Sequence, residues 1–246
     1  MDFGFARGDT VVVTGAGSGI GRAIAVQAGG LGLRVSAWDV VADAVAGTVA
    51  DITAAGGEAV AVLADVGNSD AVAAGFAATL DWSGGPSRYL VNNAGPASSL
   101  NQMAFNQALA ATVGSVHLVT DTWLKGGPPD GSAIVNIASV AGNFVGTDSA
   151  WYSAGKAAIA GYTRHLATRA APRVRANAIA PGFILTPRMA DFGDTDLGRS
   201  LIARNPMQRA GRPDDVASVV LFLLSPLAGY INGVLLPVDG GWMVAQ

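Results

Sequence analysis

Short apolar runs alternate with longer alanine-rich windows along most of this chain. Seven of the runs have the length of strands, and several are apolar at every position rather than at alternate positions. Continuously apolar strands are typical of a parallel sheet that helices cover on both faces. The pattern therefore predicts an α/β fold with a doubly wound parallel sheet. The predicted strands are Thr10–Thr14, Leu33–Trp38, Ala59–Leu63, Tyr89–Val91, Ala133–Ala138, Val174–Ile179 and Val234–Val238.

Charged residues are scarce and unevenly distributed. They make up 13% of the 246 residues, where about 25% is usual. Three long segments carry no charge: Tyr89–Thr120, Gly131–Thr147 and Val216–Val238. The last is long enough to suggest a membrane helix, but proline and Asn-Gly turn signals interrupt it. We therefore expect a buried helix that ends near Leu224, followed by a turn and a buried strand.

The composition excludes several classes of protein. The chain has no cysteine, which excludes disulfide-stapled modules, thiolate metal sites and thiol catalysis. Its net charge of −3 argues against nucleic acid or an anionic membrane as a partner, and 50% hydrophobic residues argue against disorder. We expect no metal site, since His117 and His165 are far apart with no carboxylate pair nearby. The N-terminus shows no basic region followed by an apolar run, so a cytoplasmic protein is expected.

A glycine-rich loop follows the first predicted strand and opens a helix. It reads Thr14-Gly15-Ala16-Gly17-Ser18-Gly19-Ile20-Gly21, which has the spacing G-x-x-x-G-x-G. Glycines let the backbone approach a diphosphate, whose charge the N–H groups of the helix N-terminus stabilise. A tight turn without a ligand could have the same glycines. The position between strand and helix favours a dinucleotide site that includes Gly15, Ser18, Gly19, Ile20 and Gly21.

Asp39 ends the second predicted strand and bears on the choice of cofactor. It lies 18 residues after Gly21, where a carboxylate can accept hydrogen bonds from the adenosine ribose hydroxyls. Its charge would repel a 2′-phosphate, which favours NAD(H) over NADP(H). The alternative is that Asp39 only caps the next helix.

Two further strand ends carry polar residues. Asp65-Val66 follows the third strand and Asn92-Asn93-Ala94-Gly95 follows the fourth. Ligands of open α/β sheets bind at such carboxyl ends. We expect Asp65 to reach the adenine and Asn92 the adjacent ribose, by backbone or side chain, with Val66, Ala94 and Gly95 at the same site. Asn93 either joins them or holds neighbouring strands together.

Tyr152 and Lys156 are four residues apart in a predicted helix, so their side chains share one face. A phenol has a pKa near 10, and a neighbouring ammonium lowers it, as does the positive charge of an oxidised nicotinamide. Tyr152 can then act as a general acid and base. Ser139 follows the fifth strand and can bind the substrate oxygen. By itself the Tyr-x-x-x-Lys spacing usually marks an exposed surface pair. Together with Ser139 and the glycine-rich loop it predicts a catalytic set.

The order and spacing of these motifs resemble the short-chain dehydrogenase/reductase family, including its 3-oxoacyl carrier-protein reductases and secondary-alcohol dehydrogenases. The resemblance implies a single Rossmann-type domain over residues 1–246, NAD(P)-dependent redox of alcohols and carbonyls, and a homotetramer. The charge-free helices and the C-terminal strand would then supply subunit contacts. The matching elements are Thr14-Gly15-x-x-x-Gly19-x-Gly21, Asp65, Asn92-Asn93-Ala94-Gly95, Ser139, Tyr152-x-x-x-Lys156, Asn177, Pro181-Gly182 and Asp239-Gly240-Gly241.

The resemblance also implies roles for residues around the nicotinamide. Lys156 would bind the nicotinamide ribose hydroxyls, together with Tyr152. Ile184 and Thr186, which follow Pro181-Gly182, would contact the carboxamide. A substrate lid would span about residues 187–212. The remaining walls of the substrate pocket are expected from Pro96–Ser99 and Val140–Thr147, while the substrate itself stays open.

One position departs from the family pattern. The family usually has an asparagine in the helix after the fourth strand, where it helps to hold a water that links the lysine to solvent. Ala111 occupies that position here, and Asn106 is a poorly placed substitute. An alternative function is therefore a catalytically weak NAD-binding regulatory or scaffold protein. A methyltransferase is a remote third option, because it offers no role for the Tyr-Lys pair.

Overall fold

A sheet of seven parallel strands forms the centre of the structure, a computed structural model that describes residues 3–96 and 103–245. The strands are β1 Thr10–Thr14, β2 Arg34–Asp39, β3 Glu58–Leu63, β4 Tyr89–Asn92, β5 Ser132–Ile137, β6 Val174–Pro181 and β7 Leu235–Val238. Their order across the sheet is β3-β2-β1-β4-β5-β6-β7. All seven predicted strands are present, with boundaries shifted by at most two residues, and the predicted fold class is confirmed.

Helices cover both faces of the sheet. A π-helical turn, Ala110–Gly114, joins two of them into one longer helix, and no periodicity in the sequence indicates it. None of the helices in the described ranges is long and apolar enough to cross a membrane. The helices are α1 Gly19–Gly30, α2 Ala42–Ala54, α3 Ser69–Ser83, α4 Phe105–Leu109, α5 Ser115–Lys125, α6 Ala150–Arg169, α7 Ala190–Gly193, α8 Asp196–Arg204 and α9 Pro213–Leu224.

The core has two layers, one on each side of the sheet. Every residue of β1, β4 and β5 is buried, as the continuously apolar runs predict. On one face Ile24 of α1 and Val220 of α9 belong to one cluster of buried residues, and on the other Trp38 and Trp123 of α5 belong to a second cluster. The edge strands β3 and β7 are more exposed, as expected of strands that have a partner on one side only.

The strand order reverses between β1 and β4, and a polar network ties the two strands together there. The Thr14 hydroxyl donates to the carbonyl oxygen of Val91 at 3.2 Å and accepts from the N–H groups of Asn93 (3.0 Å) and Ala94 (3.1 Å). The Asn93 amide donates to the carbonyl oxygens of Thr14 (2.9 Å) and Gly15 (3.1 Å). These bonds hold the glycine loop beside the turn after β4, at the point where open α/β sheets bind ligands.

The end of α9 is closed by an arginine from the sheet. The α9 helix ends at Leu224, as predicted. The guanidinium of Arg175 on β6 donates to the carbonyl oxygens of Leu223 (2.9 Å), Leu224 (3.1 Å) and Ser225 (3.0 Å). The last carbonyls of a helix have no partner within it. Arg175 thus satisfies them and anchors the charge-free C-terminal segment to the core.

Candidate active site

A cleft of about 320 Å³ runs along the carboxyl ends of β1, β2 and β4. The glycine loop forms part of its wall, and Gly15 and Gly19 have φ of 65° and 55°, which favours glycine. The Ser18 side chain does not cap α1, so the first N–H groups of the helix stay available to an anion. Nine predicted cofactor residues line this cleft: Gly15, Ser18, Gly19, Ile20, Asp39, Val66, Ala94, Gly95 and Thr186.

The Asp39 carboxylate is held at the edge of the glycine loop. Its Oδ2 accepts from the N–H of Gly17 at 2.8 Å, and its Oδ1 from that of Val41 at 3.1 Å. A Cβ at Gly17 would lie 2.9 Å from Oδ2, so glycine is required for this approach. The N-cap of α2 is Val41 rather than Asp39. Since each carboxylate oxygen accepts more than one hydrogen bond, Asp39 can also accept from ribose hydroxyls.

Two predicted cofactor residues hydrogen-bond to neighbouring parts of the protein through their side chains. Asp65 accepts from the N–H of Gly67 at 2.8 Å and shapes the turn after β3, and it does not line the cleft. Asn92 is buried, and its amide donates to Thr120 Oγ1 and to Asn136 Oδ1, both at 2.9 Å. Its side chain therefore joins β4 to α5 and β5 instead of reaching a ribose. The Asn92 side chain is thus committed to the sheet, while a ribose contact through its backbone and an adenine contact through the Asp65 carboxylate stay predictions.

Gly21 and Asn93 have structural roles at the glycine loop. Gly21 is buried and does not line the cleft. A Cβ at Gly21 would overlap the carbonyl oxygen of Gly15, so this glycine allows α1 to pack on the loop. Asn93 braces Thr14 and Gly15, and it also lines the cleft. The hydrogen bonds support the alternative that Asn93 holds neighbouring strands together, and its place in the cleft leaves a cofactor contact as a prediction.

A second cavity of about 300 Å³ adjoins the cleft, and the three predicted catalytic residues line it. Ser139 lies two residues beyond the end of β5, whereas Tyr152 and Lys156 lie in the first two turns of α6. The cavity shares part of its wall with the cleft, through Ile20, Asn93, Gly95, Thr186 and Arg188. The predicted nicotinamide residues Pro181, Gly182 and Ile184 line this second cavity as well.

Lys156 connects α6, which also carries Tyr152, to β5, which leads to Ser139. Its Nζ donates to the carbonyl oxygen of Ile137 at 2.9 Å and lies 5.8 Å from the ring centroid of Tyr152. Because Ile137 ends β5, this bond sets α6 against the strand that leads to Ser139. The side chains of Lys156 and Ser139 are both buried, at 9% and 8% exposure.

Burial dominates the ionisation of the pair. It raises the pKa of Tyr152, an effect that a hydrogen bond with Ser139 and the charge of Arg188 offset only in part. It also lowers the pKa of Lys156 to about 8. The sequence predicts a lowered pKa for Tyr152. For the protein without a nicotinamide cofactor that direction is wrong, because the pKa is raised. The cost of burying the charged phenolate exceeds the attraction of nearby positive groups.

The loop after β5 is fixed by two residues that carry no motif. The Asn143 amide donates to the carbonyl oxygens of Ser139 at 2.9 Å and Lys156 at 3.1 Å. Gly142 has φ of 78°, and a Cβ there would overlap the carbonyl oxygen of Ser153. The loop is therefore held against α6 at two points, Ser153 and Lys156.

A family model described as Enoyl-(Acyl carrier protein) reductase matches residues 15–243. The chain belongs to the short-chain dehydrogenase/reductase family. This dehydrogenase/reductase is 38% identical over 242 residues to cis-4-hydroxycyclohexanecarboxylate dehydrogenase of Sinomonas cyclohexanicum, covering 94% of this chain and 95% of that one. The family predicted from motif order is thereby confirmed, and the chain is an oxidoreductase of alcohol and ketone substrates.

Two solved structures are similar to this dehydrogenase/reductase over nearly its whole length. One is 7α-hydroxysteroid dehydrogenase complexed with NADH and 7-oxo glycochenodeoxycholic acid, with 29% identity, a TM-score of 0.90 and coverage of 98% of this chain and 96% of that one. The other is a short-chain dehydrogenase from Burkholderia cenocepacia J2315 in complex with NADP, with 31% identity, a TM-score of 0.86 and coverage of 96% and 98%. Family members of this fold thus bind nicotinamide cofactors of both kinds.

The substrate walls of this dehydrogenase/reductase differ in part from expectation. Pro96 lines the cavity, while residues 97–99 lie outside the described part of the chain. The Val140–Thr147 segment, which is described, does not line it. Phe183, Met189 and Arg188 do. The sequence places Arg188 in the lid without a role, because no motif shows which residues of an irregular segment point into a cavity.

The position that departs from the family pattern lies beside the catalytic helix. Ala111 is in the π-helical turn, next to Thr112, and a Cβ at Gly155 of α6 would lie 2.9 Å from Thr112 Cγ2. Asn106 is exposed on α4 and does not line the catalytic cavity. The structure therefore offers no support for Asn106 as the substitute.

Proposed function

We propose that this short-chain dehydrogenase/reductase interconverts a secondary alcohol and its ketone, with NAD(H) as the preferred cofactor. The observation that carries the proposal is the convergence of Ser139, Tyr152 and Lys156 on one cavity, next to a cleft that Asp39 lines. The relatives support the substrate class, because the names of two of them specify a cyclic secondary alcohol or ketone.

A nicotinamide cofactor, when bound, supplies the hydride for reduction or accepts it in oxidation, and its oxidised form carries a positive charge. In ketone reduction Tyr152 donates its phenolic proton to the substrate oxygen, and its raised pKa keeps that proton in place at neutral pH. The Ser139 hydroxyl donates a hydrogen bond to the same oxygen and holds it beside the phenol. In alcohol oxidation Tyr152 accepts the hydroxyl proton, and the charge of Lys156 favours the phenolate.

The remaining residues hold the cofactor in the proposed orientation. Lys156 binds the nicotinamide ribose hydroxyls, and the Pro181–Thr186 segment borders the nicotinamide. Asp39 binds the adenosine ribose and repels a 2′-phosphate. Val40 and Val41 follow Asp39 and line the cleft, so no basic side chain stands there to accept that phosphate.

We also propose that residues 1–246 form one catalytic domain that assembles as a homotetramer, with residues 187–212 as a substrate lid. The lid carries a short helical turn at Pro187–Met189, then α7 and α8. Exposed apolar side chains near the C-terminal edge strand support assembly, among them Leu227 and Leu236. Sedimentation velocity at micromolar concentration should show a tetramer, and a monomer would contradict this assembly.

The test of the reaction is turnover that depends on Tyr152. The parent protein should oxidise members of a secondary-alcohol panel with NAD and reduce members of a ketone panel with NADH. Tyr152→Phe should remove this turnover and keep NADH binding, whereas Tyr162→Phe, on the same helix but outside the cavity, should keep both. NADH binding without turnover in the parent would instead favour the regulatory alternative.

A further inference from the structure

Arg188 gives the catalytic cavity a positive charge that the proposed reaction does not use. The described residues that line the cavity include two cations, Lys156 and Arg188, and no carboxylate. The Arg188 side chain is exposed to the cavity and has no hydrogen bond or ion pair with any residue in the described ranges. By contrast, Arg199 and Arg209 of the same lid segment pair with Asp196 and Asp215.

The backbone at Arg188 is held in a turn at the wall of the cavity that Tyr152 also lines. It lies in the helical turn Pro187–Met189, which a bond from the Met189 N–H to the Thr186 carbonyl oxygen closes at 2.8 Å. Its charge is near enough to lower the pKa of Tyr152. Because Arg188 and Tyr152 line the same cavity of about 300 Å³, an anion bound to Arg188 would lie within one small molecule's length of the phenol.

The other cavity walls suit a carbon skeleton rather than a second charge. Ile137, Phe183 and Met189 contribute apolar surface to the cavity that Arg188 also lines. A guanidinium presents a planar fork of donors that matches a carboxylate in a bidentate pair. The combination is a cavity with one anion-binding group and one proton-donating group among apolar walls.

We propose that Arg188 binds the carboxylate of the substrate, so that the enzyme acts on hydroxy acids and their oxo acids rather than on neutral alcohols and ketones. This inference rests on the proposed function and specifies its substrate class. Arg188 selects among substrates, and Tyr152 performs the proton transfer.

Arg188 also lines the cofactor cleft, so the cofactor diphosphate is a second anion that it could bind. The experiment has to distinguish this diphosphate from the substrate carboxylate. If the guanidinium bound the cofactor diphosphate, its loss would weaken NADH binding and slow all substrates alike. If it binds the substrate carboxylate, its loss affects acids only. Comparing an acid with its methyl ester isolates the second effect, because the ratio cancels any influence of Arg188 on Tyr152 or on the cofactor.

The experiment uses 4-oxocyclohexanecarboxylate, 4-oxopentanoate and acetoacetate, each with its methyl ester, in NADH-dependent reduction. The parent should prefer the acid to the ester, in kcat/KM, for at least one skeleton. Arg188→Ala should lower kcat/KM for that acid by about 10- to 100-fold, the range for losing a charge-assisted hydrogen bond. It should leave the ester, and the Kd of NADH from fluorescence titration, within about twofold. Arg188→Lys should recover part of the loss, and Arg164→Ala, at an exposed position on α6 that lines neither cavity, should behave as the parent.

A binding measurement makes the result independent of turnover. Calorimetric titration of the same acids and esters into the NADH complex of Tyr152→Phe should show the acid bound more tightly, and Arg188→Ala should remove the difference. Equal kcat/KM and equal binding of acid and ester would overturn the proposal. So would an Arg188→Ala variant in which only the affinity for NADH falls. Tyr152-dependent reduction of esters without acid preference would overturn the role of Arg188 alone. Acid binding without any reduction would leave Arg188 supported and contradict the proposed function.

Discussion

Lys156 Nζ donates to the carbonyl oxygen of Ile137 over 2.9 Å, and this bond joins the helix that carries the phenol to the strand that leads to the serine. The ammonium thus has a structural partner before any ligand is present. Its burial lowers the pKa of Lys156 to about 8, so its charge depends on pH within the range in which enzymes are assayed.

The stability of the protein should therefore rise with pH above about 8. Between pH 8 and 10.5 the unfolded chain keeps a proton on Lys156 that the folded protein has lost, which increases the free energy of unfolding. The raised pKa of Tyr152 acts in the opposite sense only from about pH 10 upward. From pH 8 to 9.5 the parent should gain about 1–2 kcal/mol more than Lys156→Met in urea unfolding.

The chain's other lysine provides the control for this titration. Lys125 is exposed and pairs with Asp121 at 2.7 Å, so Lys125→Met should show the same rise with pH as the parent. A rise of equal size in Lys156→Met would contradict the lowered pKa of Lys156.

The loop after β5 should tolerate a methyl group at one glycine and not at another. Gly142→Ala places a Cβ on the Ser153 carbonyl oxygen at a positive φ, and we expect it to lower the free energy of unfolding by about 2–4 kcal/mol. Gly146 has open space around it, so Gly146→Ala should stay within about 0.5 kcal/mol of the parent. Urea unfolding of the two variants is the measurement. A loss in Gly142→Ala as small as that in Gly146→Ala would show that movement of the loop relieves the overlap.

Asn143 should act as a positioning residue. Asn143→Ala removes two hydrogen bonds, to the carbonyl oxygens of Ser139 and Lys156, and should lower the free energy of unfolding by about 1–3 kcal/mol. With the loop released, kcat should fall about tenfold, equivalent to about 1.4 kcal/mol in the barrier, while the Kd of NADH stays unchanged. Asn106→Ala, at an exposed position, serves as the control. Lower stability with unchanged kcat would limit Asn143 to a purely structural role.

Cofactor choice should depend on the end of β2. The parent is expected to prefer NADH to NADPH by at least about tenfold in kcat/KM, because Asp39 repels the 2′-phosphate. The double variant Asp39→Ala with Val40→Arg should reverse that preference, since Val40 is exposed and lines the cleft. Asp43→Ala, nearby on α2 but outside the cleft, should not change it. Equal use of both cofactors by the parent would remove the role given to Asp39.

The sequence predicted the sheet well because its strands are buried on both faces. A short, continuously apolar run bounded by polar or turn residues is best interpreted as such a strand. Even the boundaries predicted for β1 therefore match. The glycine loop and the Tyr-Lys pair were equally readable, because each depends on residues that are near one another in the chain. The sequence does not indicate the π-helical turn at Ala110–Gly114, since a single turn is too short for a periodic pattern to reveal it.

The errors at the site have a common physical origin. The sequence does not show that the Asn92 side chain joins β4 to α5 and β5, because its partners Thr120 and Asn136 come from elements that only the folded chain brings to it. The direction of the Tyr152 pKa depends on burial, which no four-residue spacing reports. Arg188 was overlooked for the same reason, because its place in the cavity follows from the path of the chain after Thr186.

The wall that the two cavities share limits how this enzyme can change during evolution. Ile20, Asn93, Gly95, Thr186 and Arg188 border both the cofactor cleft and the catalytic cavity. A mutation at any of them that admits a new substrate also alters the environment of the cofactor, so selection for one property is constrained by the other. New specificities are therefore expected to arise first at Phe183 and Met189, which border the catalytic cavity alone.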